Sequence, residues 1–216
     1  MTEQKVNYQV ILDKELKNIE RNGKIPVLLL HVCCAPCSSY VLEYLNKYFR
    51  ILIYFYNPNI SPSKEYEYRL NEVKRLVEEM PLQNPVEIIE GKYEPEIFYN
   101  LTKGLETEPE RGERCRKCIS QRLKQAAYAA KELNADYFTT TLTISPHKDS
   151  AFINSTGREI SQDTGIPYLF SDFKKRNGYK RSIQLSAEYN LYRQNFCGCI
   201  YSKNNSEDKL NEKRIS

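Results

Sequence analysis

Two short, almost unbroken apolar runs, Val27 to Val32 (VLLLHV) and Ile51 to Tyr56 (ILIYFY), read as β-strands covered on both faces. Between them Val41, Leu42, Leu45, Tyr48 and Phe49 recur at helical spacing, which predicts a helix over 38–49. Strand, helix, strand is a βαβ unit, so the sheet should be at least partly parallel. Leu70, Val73 and Val77 then form a second apolar stripe, with Ser61 placed to cap that helix and Pro62 at its first position. Val86 to Ile89 reads as a third strand, and a short helix follows from Pro95. The Lys-, Arg-, Gln- and Ala-rich stretch 114–133 reads as a long helix. After it come a strand at 136–143 (DYFTTTLT), a helix at 150–164, a last strand at 166–170 and a helix over about 182–194. This alternation predicts an α/β fold: a three-layer, doubly wound, mostly parallel sheet with helices on both faces, Rossmann/HUP-like.

Three segments follow from the same pattern. Residues 1–24 read as an appended amphipathic helix using Val10, Leu12, Leu16 and Ile19; 25–202 read as a single α/β catalytic domain; and 203–216 (KNNSEDKLNEKRIS) read as a polar, disordered tail. No apolar run approaches the length that spans a bilayer, and the polar start MTEQKVNYQVILDKELKN has no signal-peptide core. The expectation is a cytoplasmic protein without a membrane partner, whose thiols stay reduced.

That compartment makes the seven cysteines informative, because a disulfide scaffold is not expected there. Cys33, Cys34 and Cys37 follow the first strand in HVCCAPCSS, Cys115 and Cys118 open the long helix, and Cys197 and Cys199 close the last one. The loop Ser145-Pro146-His147-Lys148-Asp149 follows the strand DYFTTTLT. Open α/β sheets bind ligands just beyond the carboxyl ends of their strands, so all four groups should meet at one edge. Two cysteines three apart at a helix start can reach one metal centre, and the helix N-terminus favours their thiolates, although a structural or redox pair fits equally well. Adjacent Cys33 and Cys34 chelate one zinc ion poorly but can bind separate irons of a cubane. No histidine sits at zinc-finger spacing, which tilts the reading from zinc toward iron–sulfur. A disulfide between Cys197 and Cys199 would close a small, strained and easily reduced ring, with Gly198 relieving the backbone. The pair is either a redox dithiol or two more metal ligands. In the SPHKD loop, a capped helix start explains Ser145, Pro146 and Asp149. It leaves His147 and Lys148 unexplained, and an anionic or polar substrate would account for them. The net charge of +4 permits a nucleic-acid partner without demanding one.

Taken together, LLLHVCCAPCS, GERCRKCISQRL, TTLTISPHKDS and YRQNFCGC resemble the cobalamin-independent epoxyqueuosine reductase family across residues 28–199. The resemblance implies reduction of epoxyqueuosine in tRNA to queuosine, the last step in making that wobble base. It also implies a [4Fe-4S] cluster on Cys33, Cys34, Cys115 and Cys118, with Cys197 and Cys199 as the redox-active pair. Phe196 stands where the family pattern leads one to expect tyrosine. Turning the epoxide into an alkene takes two electrons and two protons and releases water. A cubane passes one electron at a time, so the dithiol is the natural second store. The oxygen must also be activated. Asp149, His147 and Lys148 are therefore catalytic candidates, and Cys37 with Asp149 could hold one additional iron. Lys148, Arg193 and Arg122 are candidate substrate contacts, with Arg116, Lys117 and Lys124 extending a basic helix face toward the RNA. The expected partners are tRNA and an unidentified electron donor, and the expected state is a monomer. Two alternatives use fewer of the motifs. One is a thioredoxin-like oxidoreductase working through Cys34 and Cys37, with Ile166-Pro167 as its proline. The other is a zinc-stabilised nucleic-acid-binding module.

Overall fold

In the computed structural model, which describes residues 6–203, four parallel strands form one sheet in the order β3-β2-β1-β4. They are β1 (Val27–His31), β2 (Arg50–Phe55), β3 (Val86–Glu90) and β4 (Tyr137–Thr140). The helices are α1 (Tyr8–Asn22), α2 (Ala35–Leu45), α3 (Ser63–Glu79), α4 (Pro95–Leu101), α5 (Glu113–Glu132), α6 (Ser150–Thr164) and α7 (Gly178–Glu188). Winding runs outward from β1 through β2 to β3, then returns to place β4 on the other side of β1. At that reversal the loops leaving β1 and β4 part to opposite faces and open a crevice. His31, paired with Tyr54 on one side and Thr140 on the other, marks its floor.

Alternation along the strands divides the core into two layers. Leu28 and Leu30 face Leu12, Leu16, Val41, Leu45, Val73 and Leu76. Leu29 faces Leu123, Ala126, Ala127, Ala130 and Ile153 of α5 and α6. The chain is thus a three-layer α/β fold. α1 shares the first layer, with Gln9 buried in place of the expected Val10, which is 46% exposed. Residues 204–216 of the expected tail, and 1–5, lie outside the described residues.

Five local expectations are corrected. Residues 166–170 add no strand, because Pro167 has no N–H to give and only one parallel bridge forms, Phe138 with Tyr168. The strand expected over 136–143 stops at Thr140, whose hydroxyl caps a short 3₁₀ turn, Thr141–Ile144. Pro62, not Ser61, takes the N-cap position of α3, where no side chain caps the helix. α6 is capped by Asp149, not Ser145: the Asp149 Oδ1 accepts from the amides of Ala151 at 2.9 Å and Phe152 at 3.1 Å. The last helix begins at Gly178 and ends at Glu188, so Cys197 and Cys199 lie on a following strap rather than on the helix.

Candidate active site

Beyond β1 the chain turns at Val32 and Cys33 into α2, with Cys34 as N-cap residue and Cys37 in the first turn. The floor beneath is rigid. His31 Nε2 donates to the Tyr56 carbonyl at 3.1 Å, an oxygen that can only accept, and its Nδ1 therefore accepts from the Thr140 hydroxyl at 2.9 Å. Burial lowers the His31 pKa to about 4, so the ring is neutral and holds three strand ends together. The sulfurs of Cys33, Cys34 and Cys37 all lie within 4.8 Å of one another, close enough to share one metal ion. Within this trio hydrogen bonds from Cys34 and Cys37 hold the Cys33 thiol well below the usual range. Donating to Cys33 and being buried raise the other two, Cys34 to about 12.

From the opposite wall α5 directs Arg114, Cys118 and Arg122 inward, one per turn along one face, exposed only 1%, 9% and 2%. The strap supplies Cys197 and Cys199. Together these elements enclose a cavity of about 1050 Å³ lined by Cys33, Cys37, Cys115, Cys118, Cys197 and Cys199; only Cys34 lies behind the wall. Lys148 Nζ donates to Cys197 Sγ at 3.2 Å, and Arg122 Nε to the Cys118 carbonyl at 3.3 Å. Burial opposes a charge on Cys197, yet Lys148 and Arg122 outweigh it and lower the thiol. Cys199 moves the other way, to about 12, through burial and then the Cys197 charge. The two thiols of the CGC pair are therefore set apart, Cys197 shifted toward its thiolate and Cys199 away from it. Arg122 is buried with sulfur as its electrostatic complement: Cys118, Cys197, Cys33 and Cys115 raise it against the cost of burial.

Residues 28–205, which carry all of these cysteines, match the family model for epoxyqueuosine reductase QueH. The chain belongs to the epoxyqueuosine reductase QueH family. Curated relatives carry the same name. The protein of Streptococcus pyogenes serotype M1 is 45% identical over 201 residues, covering 92% of this chain and 79% of that one. That of Staphylococcus epidermidis is 44% identical over 206 residues, covering 94% and 87%. That of Thermotoga maritima is 34% identical over 181 residues, covering 81% and 89%. The chain is thus an enzyme, an oxidoreductase of the QueH family. Among its described residues no helix is long and apolar enough to cross a membrane.

The remaining candidates of this QueH chain fall into three groups. Lys148 lines the cavity, half-buried, and His147 and Asp149 line it from exposed positions on the same loop. Arg111 fixes that loop by donating to the carbonyls of His147 at 2.9 Å and Pro146 at 3.2 Å. Arg193 is exposed at the rim, with one nitrogen 3.0 Å from the Ser186 hydroxyl. The basic face expected on α5 breaks up. Arg122 is buried because its position follows Cys118 by one turn, Lys117 pairs with Glu113 at 3.3 Å, and Arg116 and Lys124 lie over the rings of Phe152 and Tyr128. Sequence reasoning missed Arg114 and Arg69. Arg114 was legible as the residue one turn before Cys118, whereas nothing in the chain near Arg69 points to the site.

Proposed function

We propose that the protein reduces the epoxycyclopentane of epoxyqueuosine, at the wobble position of tRNA, to the cyclopentene of queuosine. In this reading a [4Fe-4S] cluster is held by Cys33, Cys34, Cys115 and Cys118, and Cys197 with Cys199 is the redox dithiol. The observation that carries it is the placement of buried Arg122 and half-buried Lys148 among thiols. A thiolate-held cluster is an anion, and it supplies the negative charge that these two cations are otherwise given only by ionised thiols. The donor set supports it as well, since Cys33, Cys115 and Cys118 face one cavity from two walls and Cys34 lies directly behind Cys33.

The chemistry balances between the pair and solvent. Closing Cys197 and Cys199 to a disulfide releases two electrons and, with Cys197 ionised, one proton from Cys199; the epoxide takes up both electrons, that proton and a second one from solvent, and leaves as alkene and water. Lys148 keeps Cys197 ionised and presents a cation where the epoxide oxygen gains charge. Asp149 uses Oδ1 to cap α6, which leaves Oδ2 for the substrate or, with Cys37, for one additional iron. The cluster, when bound, supplies one-electron transfer from an external donor. We place the protein in the cytoplasm as a monomer, with 25–202 as one catalytic domain and 1–24 as its extension. The thioredoxin-like and zinc-module readings leave the Arg122 environment and the family match without a role.

Anaerobic purification tests the proposal. A brown protein with about four irons and four sulfides per chain, active on tRNA carrying epoxyqueuosine, is the expected result. A colourless protein with stoichiometric zinc would overturn it.

A further inference from the structure

α3 presents Glu65, Arg69, Glu72 and Arg75 at helical spacing, and every one of them touches the strap that carries Cys197. Arg75 donates to the carbonyls of Tyr189 at 3.0 Å and Asn190 at 3.3 Å, and Glu72 accepts from the Tyr192 amide at 3.0 Å. Glu65 accepts from the Tyr192 hydroxyl at 3.3 Å. Arg69, only 1% exposed, reaches farthest along the strap. Its Nε donates to Glu65 at 2.7 Å, Nη1 to the Cys197 carbonyl at 3.1 Å and Nη2 to the Phe196 carbonyl at 3.4 Å. Its Cζ lies 5.1 Å from the centre of the Phe196 ring. The next carbonyl, of Gly198, accepts from the Ser61 amide at 2.9 Å.

Three consecutive carbonyls on the strap are thus held from α3 and the residue leading into it. Fixing those peptide planes fixes the direction in which the Cys197 side chain leaves the backbone, toward Lys148. The same contact explains two features of the motif. A Cβ on Gly198 would sit 3.1 Å from Arg69 Nη1 and 3.0 Å from Ile60 Cγ1, and its φ of +119° is one that side chains rarely adopt. Phe196 offers the guanidinium a ring face, for which a phenol oxygen is unnecessary.

We infer that Arg69 is a positioning residue for the Cys197–Cys199 pair: it clamps the strap backbone so that Cys197 Sγ meets the Lys148 ammonium, without itself touching substrate. This rests on the reading of that pair as the electron-pair store. A bidentate clamp needs the planar fork of arginine, so lysine should replace it only in part.

The test uses the full chain, purified anaerobically, as Arg69→Met, Arg69→Lys and Gly198→Ala. Iron content, KM for tRNA, kcat and the rate of iodoacetamide labelling at Cys197 are measured on each. Arg69→Met should keep iron and KM, lower kcat by about 10²-fold, as misplacement of a reacting group does, and slow Cys197 labelling. Arg69→Lys should recover part of both losses. Gly198→Ala presses on the same contact from the strap, so it should give the same pattern, and the Arg69→Met/Gly198→Ala variant should lose less than the two single losses combined. If Arg69→Met does not fold, Arg69→Lys and Gly198→Ala carry the comparison. Wild-type labelling and kcat in the variants that fold, or fully additive losses in the double variant, would overturn the inference. Labelling needs no turnover. A Cys197→Ser variant that turns over normally would therefore sink the dithiol reading while leaving the clamp to be judged by its own measurement.

Discussion

Lys148 Nζ and Cys197 Sγ lie 3.2 Å apart inside the cysteine-lined cavity, and they are brought there by elements 49 residues apart in the chain. Cys197 is the strongest cause of the raised Lys148 pKa, and Lys148 is the first of the cations that lower Cys197 against burial. The pair is mutually charge-favouring, in a cavity whose lining carries two carboxylates, Glu110 and Asp149. It makes the CGC motif asymmetric, because Cys199 two residues on is held as a thiol.

The asymmetry gives a pH prediction. A thiol whose pKa is lowered stays ionised to lower pH, so Cys197 should label with iodoacetamide at a pH where Cys199 does not. In Lys148→Met burial remains and the ammonium is gone, so the labelling profile should move to higher pH. Turnover should fall by about 10²-fold, the usual weight of one positioned acid–base or charged group. An unmoved profile, mapped by mass spectrometry, would detach Lys148 from Cys197.

Replacing Cys197 or Cys199 with serine separates electron storage from cluster binding. Visible absorption and iron content should stay nearly unchanged while multiple turnover with a chemical reductant collapses, because serine cannot close or reopen the sulfur–sulfur bond. Colour and activity lost together would reassign both residues as ligands. Wild-type turnover in the double variant would remove them from the reaction.

The α5 residues test the cluster itself. Cys115→Ala and Cys118→Ala should bleach the protein, and full iron in both would take them off the ligand set. Arg122→Met should act differently on the two forms. Without a cluster it relieves a buried charge, so thermal stability should hold or rise. With a cluster it removes the balancing cation, so iron loading should fall. Equal loading in wild type and Arg122→Met would contradict the charge-balance argument.

Binding to tRNA should weaken steeply as salt rises, through release of counterions from the phosphates. Because Arg122 is buried and Lys117 is paired, the footprint narrows to exposed rim residues such as Arg193. Arg193→Ala should reduce the salt slope by about one unit while leaving preference for the modified base intact. A salt-insensitive affinity in the wild type would confine recognition to the base.

What the sequence by itself determined was local and periodic. The runs VLLLHV and ILIYFY became β1 and β2, and the stripe of Leu12, Leu16 and Ile19 packed α1 on the first layer. The group Cys33, Cys34 and Cys37 and the SPHKD loop follow β1 and β4 in the chain, because the side-chain period that marks those strands is written in the order of residues. Positions set by competition between distant groups were not legible. Beside Phe138, Pro167 gives its carbonyl and Leu169 its amide, but the missing Pro167 N–H stops the ladder at that single bridge. Arg122, read as a substrate contact on a basic helix face, went inward because the face of α5 that carries Cys118 meets the cavity. Arg69 became part of the site across 128 residues of chain. Charge balance and hydrogen-bond partners depend on what faces a group in space, and only the tertiary structure decides that.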